Sequence, residues 1–113
     1  MSALNIEAIK QEVGHLVKNI KRREPFEVRA DRKTKWGNPF RLRVDTPSNR
    51  RLILHRYYGY LQECVRKGKF TVEEIAALAD KTLGCHCSPN WCHCHILAWA
   101  ARRCRDSLRG KTS

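Results

Sequence analysis

Cysteine and histidine are concentrated between residues 83 and 95 of this chain, where four of its six cysteines and three of its five histidines lie. Cys85, Cys87, Cys92 and His93 follow the spacing C-x-C-x4-C-H. Alternate residues of a strand point to one face, so Cys85 and Cys87 would share a face, and a turn through residues 88–90 would bring Cys92 and His93 back to it. Three sulfur atoms and one nitrogen form a tetrahedral ligand set for Zn²⁺. The stretch therefore predicts a zinc site formed by these four residues.

Two other interpretations of the same stretch stay open. A helix N-terminus stabilises a nearby thiolate and attracts anions, so Cys92 with His93 beside it would be candidate catalytic residues in a thiolate or anion pocket. The stretch would otherwise be a buried cysteine-rich turn without a ligand. Cys94 and His95 add two potential ligands, but successive helix positions lie about 100° apart and cannot all face one point.

The charge of the chain points to partners that carry phosphate. Its formal net charge is +12, from 23 Lys and Arg against 11 Asp and Glu, and 13 basic residues lie between Lys18 and Arg56 against four acidic ones. A surface this basic attracts nucleic acids or nucleotides, whereas the simpler alternative is a solvated basic face that maintains solubility. We expect nucleic acid or nucleotide phosphate as the partner.

A basic and aromatic loop follows the first predicted strand. Its turn-forming residues indicate a loop, and its cations next to an aromatic ring and a glycine suit a phosphate with a stacked base. The alternative is that Trp36 and Phe40 only pack the loop onto the core. The predicted ligand-binding residues are Arg32, Lys33, Lys35, Trp36, Gly37, Asn38 and Phe40.

Hydrophobic periodicity and turn signals predict a small α/β or α+β domain, with a sheet of two or three short strands and about four helices. At 113 residues the chain forms a single domain, residues 1–113. The predicted elements, in chain order, are a helix over residues 4–20, a strand over 26–30, a helix from Asp45 or Thr46 to about residue 68, a short helix from Thr71, a strand over 81–85 and a last helix from about Cys92 to residue 108.

The cysteines and the N-terminal sequence predict a cytoplasmic protein. The first ten residues show no signal-peptide pattern, and no apolar run in the sequence reaches the ~20 residues that cross a bilayer. Cysteines in a reducing compartment are thiols or metal ligands rather than disulfides. We therefore expect zinc as the cofactor and no association with membranes.

Two separate motifs carry a resemblance to a known family. The loop Lys35-Trp36-Gly37-Asn38-Pro39-Phe40 is followed, in the right order, by Tyr58 and Leu61 on a helix and then by Leu83-Gly84-Cys85-x-Cys87-x-Pro89-x-x-Cys92-His93 and Leu97. Together they resemble the domain-of-unknown-function family 4326, small proteins frequent in phages and bacteria. The resemblance covers residues 26–101, leaving the N-terminal helix within residues 1–22 and a frayed tail, residues 106–113, outside it.

The resemblance implies that the Trp36–Phe40 loop and the Cys85–His93 segment form one shared site, although the family has no established activity to transfer. The chain departs from the family pattern at His86, where tryptophan is frequent, at Cys94, where glycine is usual, and at His95, where an acidic residue is common. Any metal role of Cys94 and His95 would then be peculiar to this protein.

Three functions are compatible with these features. The first is a binding protein whose basic surface and aromatic loop hold a nucleotide or nucleic-acid phosphate, while zinc on the Cys/His segment fixes the loop. The second is an enzyme acting on a nucleotide or nucleic-acid base, with Cys92 as nucleophile and His93 as base, or with zinc as Lewis acid. The third is a phage accessory protein that binds a host protein through its basic face.

Overall fold

The computed structural model describes residues 4–31, 34–40, 44–85 and 92–110 of the chain. They form four α-helices and one three-stranded parallel sheet, which confirms the predicted fold class. In chain order the elements are α1 (Ile6–Val13), β1 (Val17–Asn19), β2 (Val28–Arg29), α2 (Pro47–Arg66), α3 (Val72–Ala76), β3 (Leu83–Cys85) and α4 (His93–Gly110).

The N-terminal helix is shorter than predicted. It ends at Val13, a 3-10 turn covers Gly14–Leu16, and the next three residues form β1 instead of a further helical turn. The predicted helix over residues 4–20 is therefore wrong in its second half. Val17 pairs with Leu83 of β3, and this long-range ladder outweighs the helical periodicity, helped by the β-branched side chain of Val17.

The sheet places β3 between β1 and β2, and both neighbours run parallel to it. Val17 and Val28 are each level with Leu83, so the carboxyl ends of all three strands lie at one edge. All three residues of β3 are buried, as expected for a central strand. We call this edge the carboxyl edge; Asn19, Arg29 and Cys85 are the last strand residues on it.

Helices α2 and α3 begin where local sequence signals predict. Thr46 caps α2 by accepting a hydrogen bond from the N–H of Asn49, and Pro47 occupies the first helical position. Thr71 and Glu74 form a capping box at the start of α3, which satisfies amides that the helix leaves unpaired. Gly68, at a φ of +80°, follows the end of α2 in the conformation that glycine adopts most readily.

Helix α4 is the centre of the molecule, and α1, α2, α3 and the sheet all pack against it. Its N-terminal half is buried, and it continues to Gly110, so residues 106–110 of the predicted tail are helical and exposed. Arg102 and Arg105 of α4 both pair with Asp80, which follows α3, and Arg102 also pairs with Glu12 of α1. Within the described ranges, no helix is long and apolar enough to cross a membrane.

Candidate metal centre and carboxyl edge

Three buried thiols meet where β3 ends and α4 begins. Cys85 is the last residue of β3, Cys92 directly precedes α4 and Cys94 lies in its first turn. Their sulfur atoms all lie within 4.8 Å of one another, with Cys85 Sγ 3.2 Å from Cys92 Sγ. Their exposed fractions are 1%, 5% and 0%, so solvent has almost no access to the sulfurs. The arrangement is a closed cluster of soft ligand atoms.

This cluster fits three of the four positions of a tetrahedral metal site. A Zn–S bond of ~2.3 Å places two sulfurs of one tetrahedron about 3.8 Å apart, so Cys85 and Cys92 would separate slightly on binding. Thiolates select zinc or other soft cations over magnesium and calcium. The three cysteines are thus able to hold such an ion. Cys87, the remaining thiol of the predicted set, lies outside the described residues.

The sulfur of Cys94 lies beside those of Cys85 and Cys92, and Nε2 of His93 lies 3.8 Å from the sulfur of Cys94. His93 Nε2 lies 2.5 Å from the main-chain oxygen of Ala30, which can only accept a hydrogen bond, so this nitrogen carries its proton and donates. A protonated ring nitrogen has no lone pair for a metal. His93 instead ties the start of α4 to the end of β2.

The divergence of about 100° between successive helix residues does not separate Cys92 from Cys94, because Cys92 lies just before the helix. Successive residues of a helix diverge by about 100°, but a residue before the first turn has a non-helical backbone and can turn its side chain toward a helical neighbour. Cys92 and Cys94 can therefore face one point. In the sequence, the predicted start of the last helix near Cys92 is the feature that indicates this pairing of Cys92 with Cys94.

His95 caps the first turn of α4. Its Nδ1 accepts a hydrogen bond from the N–H of Cys92 at 3.1 Å, and its own N–H donates to the oxygen of Cys92. The imidazole thus takes the place that Glu or Gln has in a capping box. Burial lowers the pKa of His95, which keeps the ring neutral and suited to accept this bond.

Tyr57 of α2 connects the aromatic loop to the start of α4. The fully buried ring packs edge-on against His93, with centroids 5.1 Å apart, and its hydroxyl donates to the main-chain oxygen of Trp36 at 2.7 Å. Burial raises the pKa of Tyr57 well above its usual range, so the hydroxyl stays a donor. The loop and the cysteine segment are therefore joined through one side chain.

Side chains of the aromatic loop pack against and pair with residues at the start of α3. Trp36 is 9% exposed and packs on Phe70 at 4.9 Å between ring centroids, so little of its face is open to a base. Lys35 lies over both rings and pairs with Glu74, whose pKa this contact lowers. Asn38 accepts the N–H of Phe40 through its side chain.

Two further predicted phosphate ligands, Arg32 and Lys33, lie outside the described residues, as does His86. Gly37 is half-buried and donates its N–H to the oxygen of Thr34. Arg29, at the end of β2, pairs with the buried Asp31, and this contact raises the pKa of Arg29. A cation and a buried carboxylate thus flank the carboxyl edge on the side of β2.

Sequence comparison identifies the family of the chain. Residues 15–103 match the profile of a family described as "Domain of unknown function (DUF4326)", and the matched range contains both the aromatic loop and the cysteine segment. No curated protein and no solved structure matches the chain significantly. With most of its length matched, the chain belongs to the DUF4326 family.

Proposed function

We propose that this chain binds phosphate groups of a nucleotide or nucleic acid at the carboxyl edge of its sheet, and that zinc on the cysteine cluster anchors this edge. The observation that supports the proposal most is the meeting of three features at one place. The carboxyl ends of three parallel strands, the N-terminus of α4 and the cluster of Cys85, Cys92 and Cys94 all lie there.

This edge is favourable for anions. In open α/β sheets ligands bind outside the carboxyl ends of the strands, and a helix carries a partial positive charge at its N-terminus. Cations follow both outer strands, with Lys21 just beyond β1 and Arg29 at the end of β2. Both belong to the strongly basic part of the chain.

The role we assign to zinc is structural. A catalytic zinc keeps one coordination position open to water or substrate, whereas a structural site is closed by protein ligands. Three thiols leave a fourth position, but they are at most 5% exposed, so water and substrate have little access to it, and they connect the end of β3 to the start of α4. A metal ion there would fix the geometry of the edge without contacting the ligand.

The enzyme alternative, with Cys92 as nucleophile and His93 as base, has less support. The sulfur of Cys92 faces the sulfur of Cys85, and Nε2 of His93 donates to Ala30 instead of accepting a proton from a thiol. A nucleophile also has to reach its substrate, and Cys92 is buried. These contacts favour a binding protein.

Salt-dependent binding tests the proposal. The probes are a fluorescein-labelled 20-nucleotide single strand, its duplex and a fluorescent ATP analogue, each titrated by anisotropy at 50, 100 and 200 mM salt. Contacts to several phosphates predict a linear fall of log K with log salt, with a slope of about −0.7 per phosphate on a single strand and about −0.9 on a duplex. Binding to none of the probes, or affinity that does not change with salt, contradicts the proposal and redirects the search to a host protein as the partner of the basic face.

A further inference from the structure

The turn between β1 and β2 presents three consecutive cations, Lys21, Arg22 and Arg23, all exposed to solvent. It lies directly on the carboxyl edge, because the N–H of Ile20 donates to the oxygen of Cys85 at 2.8 Å. The turn therefore starts from the same strand end that carries the cysteine cluster. Nothing in the sequence motifs singled out these three residues.

Asn19 holds the backbone of this turn in place. Its buried side chain accepts the N–H of Arg22 at 3.3 Å, its main-chain oxygen accepts the N–H of Glu24, and its own N–H donates to the carboxylate of Glu24 at 2.6 Å. The N–H of Arg23 also bonds to the oxygen of Ile20. The three cations are thus carried on a backbone that is fixed before any ligand arrives.

Arg23 adopts a left-handed backbone conformation, with a φ of +59°. This region disfavours residues with a long side chain, and Asn or Gly would fit it better. An arginine at this position therefore carries a conformational cost that Asn or Gly would reduce.

Several cations outside the turn form ion pairs with carboxylates. Arg29, Lys35, Arg51 and Arg105, for example, each pair with a carboxylate. In the part of the chain that the structure describes, none of the three turn cations has a carboxylate within ion-pair distance. Three adjacent like charges repel each other, and a polyanion would relieve that repulsion.

We infer that the Lys21–Arg23 turn contacts the phosphate backbone of a nucleic-acid strand, which makes a polymer, and not a free nucleotide, the ligand of this protein. The inference rests on the proposed function and names its partner. The three cations of the turn can contact successive phosphates, and a nucleic-acid strand carries one phosphate per nucleotide along its whole length. A mononucleotide carries its phosphates at one end only, so it offers fewer such contacts.

The test compares two triple variants of the full chain that lose the same charge. The turn variant is Lys21→Gln with Arg22→Gln and Arg23→Asn, where Asn suits the left-handed position. The control variant is Arg66→Gln with Lys67→Gln and Lys69→Gln, three exposed residues at and after the end of α2. Circular dichroism melting checks that both variants stay folded.

We expect the turn variant to bind the 20-nucleotide strand at least tenfold more weakly at 50 mM salt, with the salt slope reduced by about 2 because three phosphate contacts are lost. The control variant should stay within about threefold of the wild type, and the wild type should bind ATP far more weakly than the strand. Equal losses in both variants, an unchanged turn variant, or equal affinity for ATP and the strand would overturn the inference while leaving phosphate binding intact. A wild type that binds no probe removes the proposed function as well.

Discussion

At the scale of single residues, three successive positions at the start of α4 make different contacts. His93 donates from Nε2 to Ala30, whereas Cys94 turns its sulfur toward Cys85 and Cys92. His95 accepts the N–H of Cys92. One imidazole thus connects the helix to β2, a second caps the helix, and the thiol between them joins the potential metal site.

The first prediction uses metal content to distinguish the role of Cys94 from that of His93. We expect about one zinc per chain in protein purified without an affinity metal, and we expect Cys94→Ser to lose most of it because serine is a poor zinc ligand. His93→Gln should retain the zinc, since the Gln amide can still donate to the oxygen of Ala30. Plasma mass spectrometry gives the stoichiometry of both variants. Zinc lost from His93→Gln but retained in Cys94→Ser would restore the ligand set expected from the sequence spacing.

The second prediction concerns the buried hydroxyl of Tyr57. Tyr57→Phe removes the donor to the Trp36 oxygen and leaves that carbonyl unsatisfied, which costs about 1–3 kcal/mol of unfolding free energy. Tyr58→Phe, at a half-buried ring that packs on Trp99, should cost less than about 0.5 kcal/mol. Urea unfolding of the two variants measures the difference. Equal stabilities would mean that the hydroxyl of Tyr57 does not hold the loop.

At the scale of elements, the sequence predicted what depends on neighbours along the chain. Thr46 with Pro47, and Thr71 with Glu74, are complete start signals within four residues, so both helix starts were predicted correctly. β1 depends on pairing with β3, more than sixty residues later, and its residues continue the helical periodicity of α1. Such long-range pairing leaves no local trace, which is why the strand was read as helix.

The third prediction tests the packing on the central strand. A Cβ on Gly84 would lie 2.7 Å from the ring of Phe26, so Gly84→Ala forces the ring to move and costs about 1–3 kcal/mol. Gly59→Ala is the matched control, because nothing lies within 4 Å of its added Cβ on α2 and alanine favours a helix by about 0.5–1 kcal/mol. Urea unfolding should thus show opposite signs for the two Gly→Ala changes.

A double variant checks the cause of that loss. Phe26→Leu replaces the ring, so adding Gly84→Ala in this background should cost clearly less than it costs in the wild type. An undiminished cost would place the strain elsewhere than at the ring.

The fourth prediction concerns the ion pairs that join Asp80, after α3, to Arg102 and Arg105 of α4. The guanidinium of Arg105, and then that of Arg102, lowers the pKa of the Asp80 carboxyl. Asp80→Asn keeps a side chain that tolerates the φ of +63° at this position, so it removes the charge alone. We expect a melting temperature lower by about 1–5 °C at pH 7.

The pH dependence of this difference has a fixed sign. A carboxyl with a lowered pKa in the folded state stabilises the protein above its unfolded pKa, and this contribution disappears as the pH falls through the folded value. The difference in melting temperature between the wild type and Asp80→Asn should therefore be constant near neutrality and shrink below about pH 4. The control is Asp106→Asn, because the carboxylate of Asp106 pairs with Arg105 from the adjacent position. This variant should show a smaller difference in melting temperature from the wild type.

At the scale of the whole molecule, the site was predicted in composition but not in arrangement. The pattern of cysteines identified the segment, and two of its predicted ligands, Cys85 and Cys92, do lie together. The positions of Cys94 and Tyr57 and of the Lys21–Arg23 turn depend on how β1, β2 and α4 meet at the carboxyl edge. That meeting follows from the parallel sheet order, which no local pattern in the sequence specifies.

Helix α1 lies before the region matched by the family, yet it is part of the same core. The match begins at residue 15, whereas Ile6, Ile9 and Val13 are at most 4% exposed and α1 packs against α4. Burying each of these side chains contributes ~1.5–3 kcal/mol, about 5–9 kcal/mol in sum. Small domains have a total stability of about 5–15 kcal/mol, so the helix supplies a decisive share.

The fifth prediction is that deleting residues 1–13 leaves the family-matched region unable to fold stably. We expect loss of the cooperative thermal transition, or a melting temperature more than about 15 °C lower, because the removed side chains leave the facing surface of α4 exposed to water. Deleting residues 107–113 is the control, since residues 107–110 are exposed and that truncation should cost a few degrees at most. Circular dichroism melting compares both chains with the wild type. A stable, cooperative chain without residues 1–13 would show instead that the matched region folds alone and that α1 is an appendage.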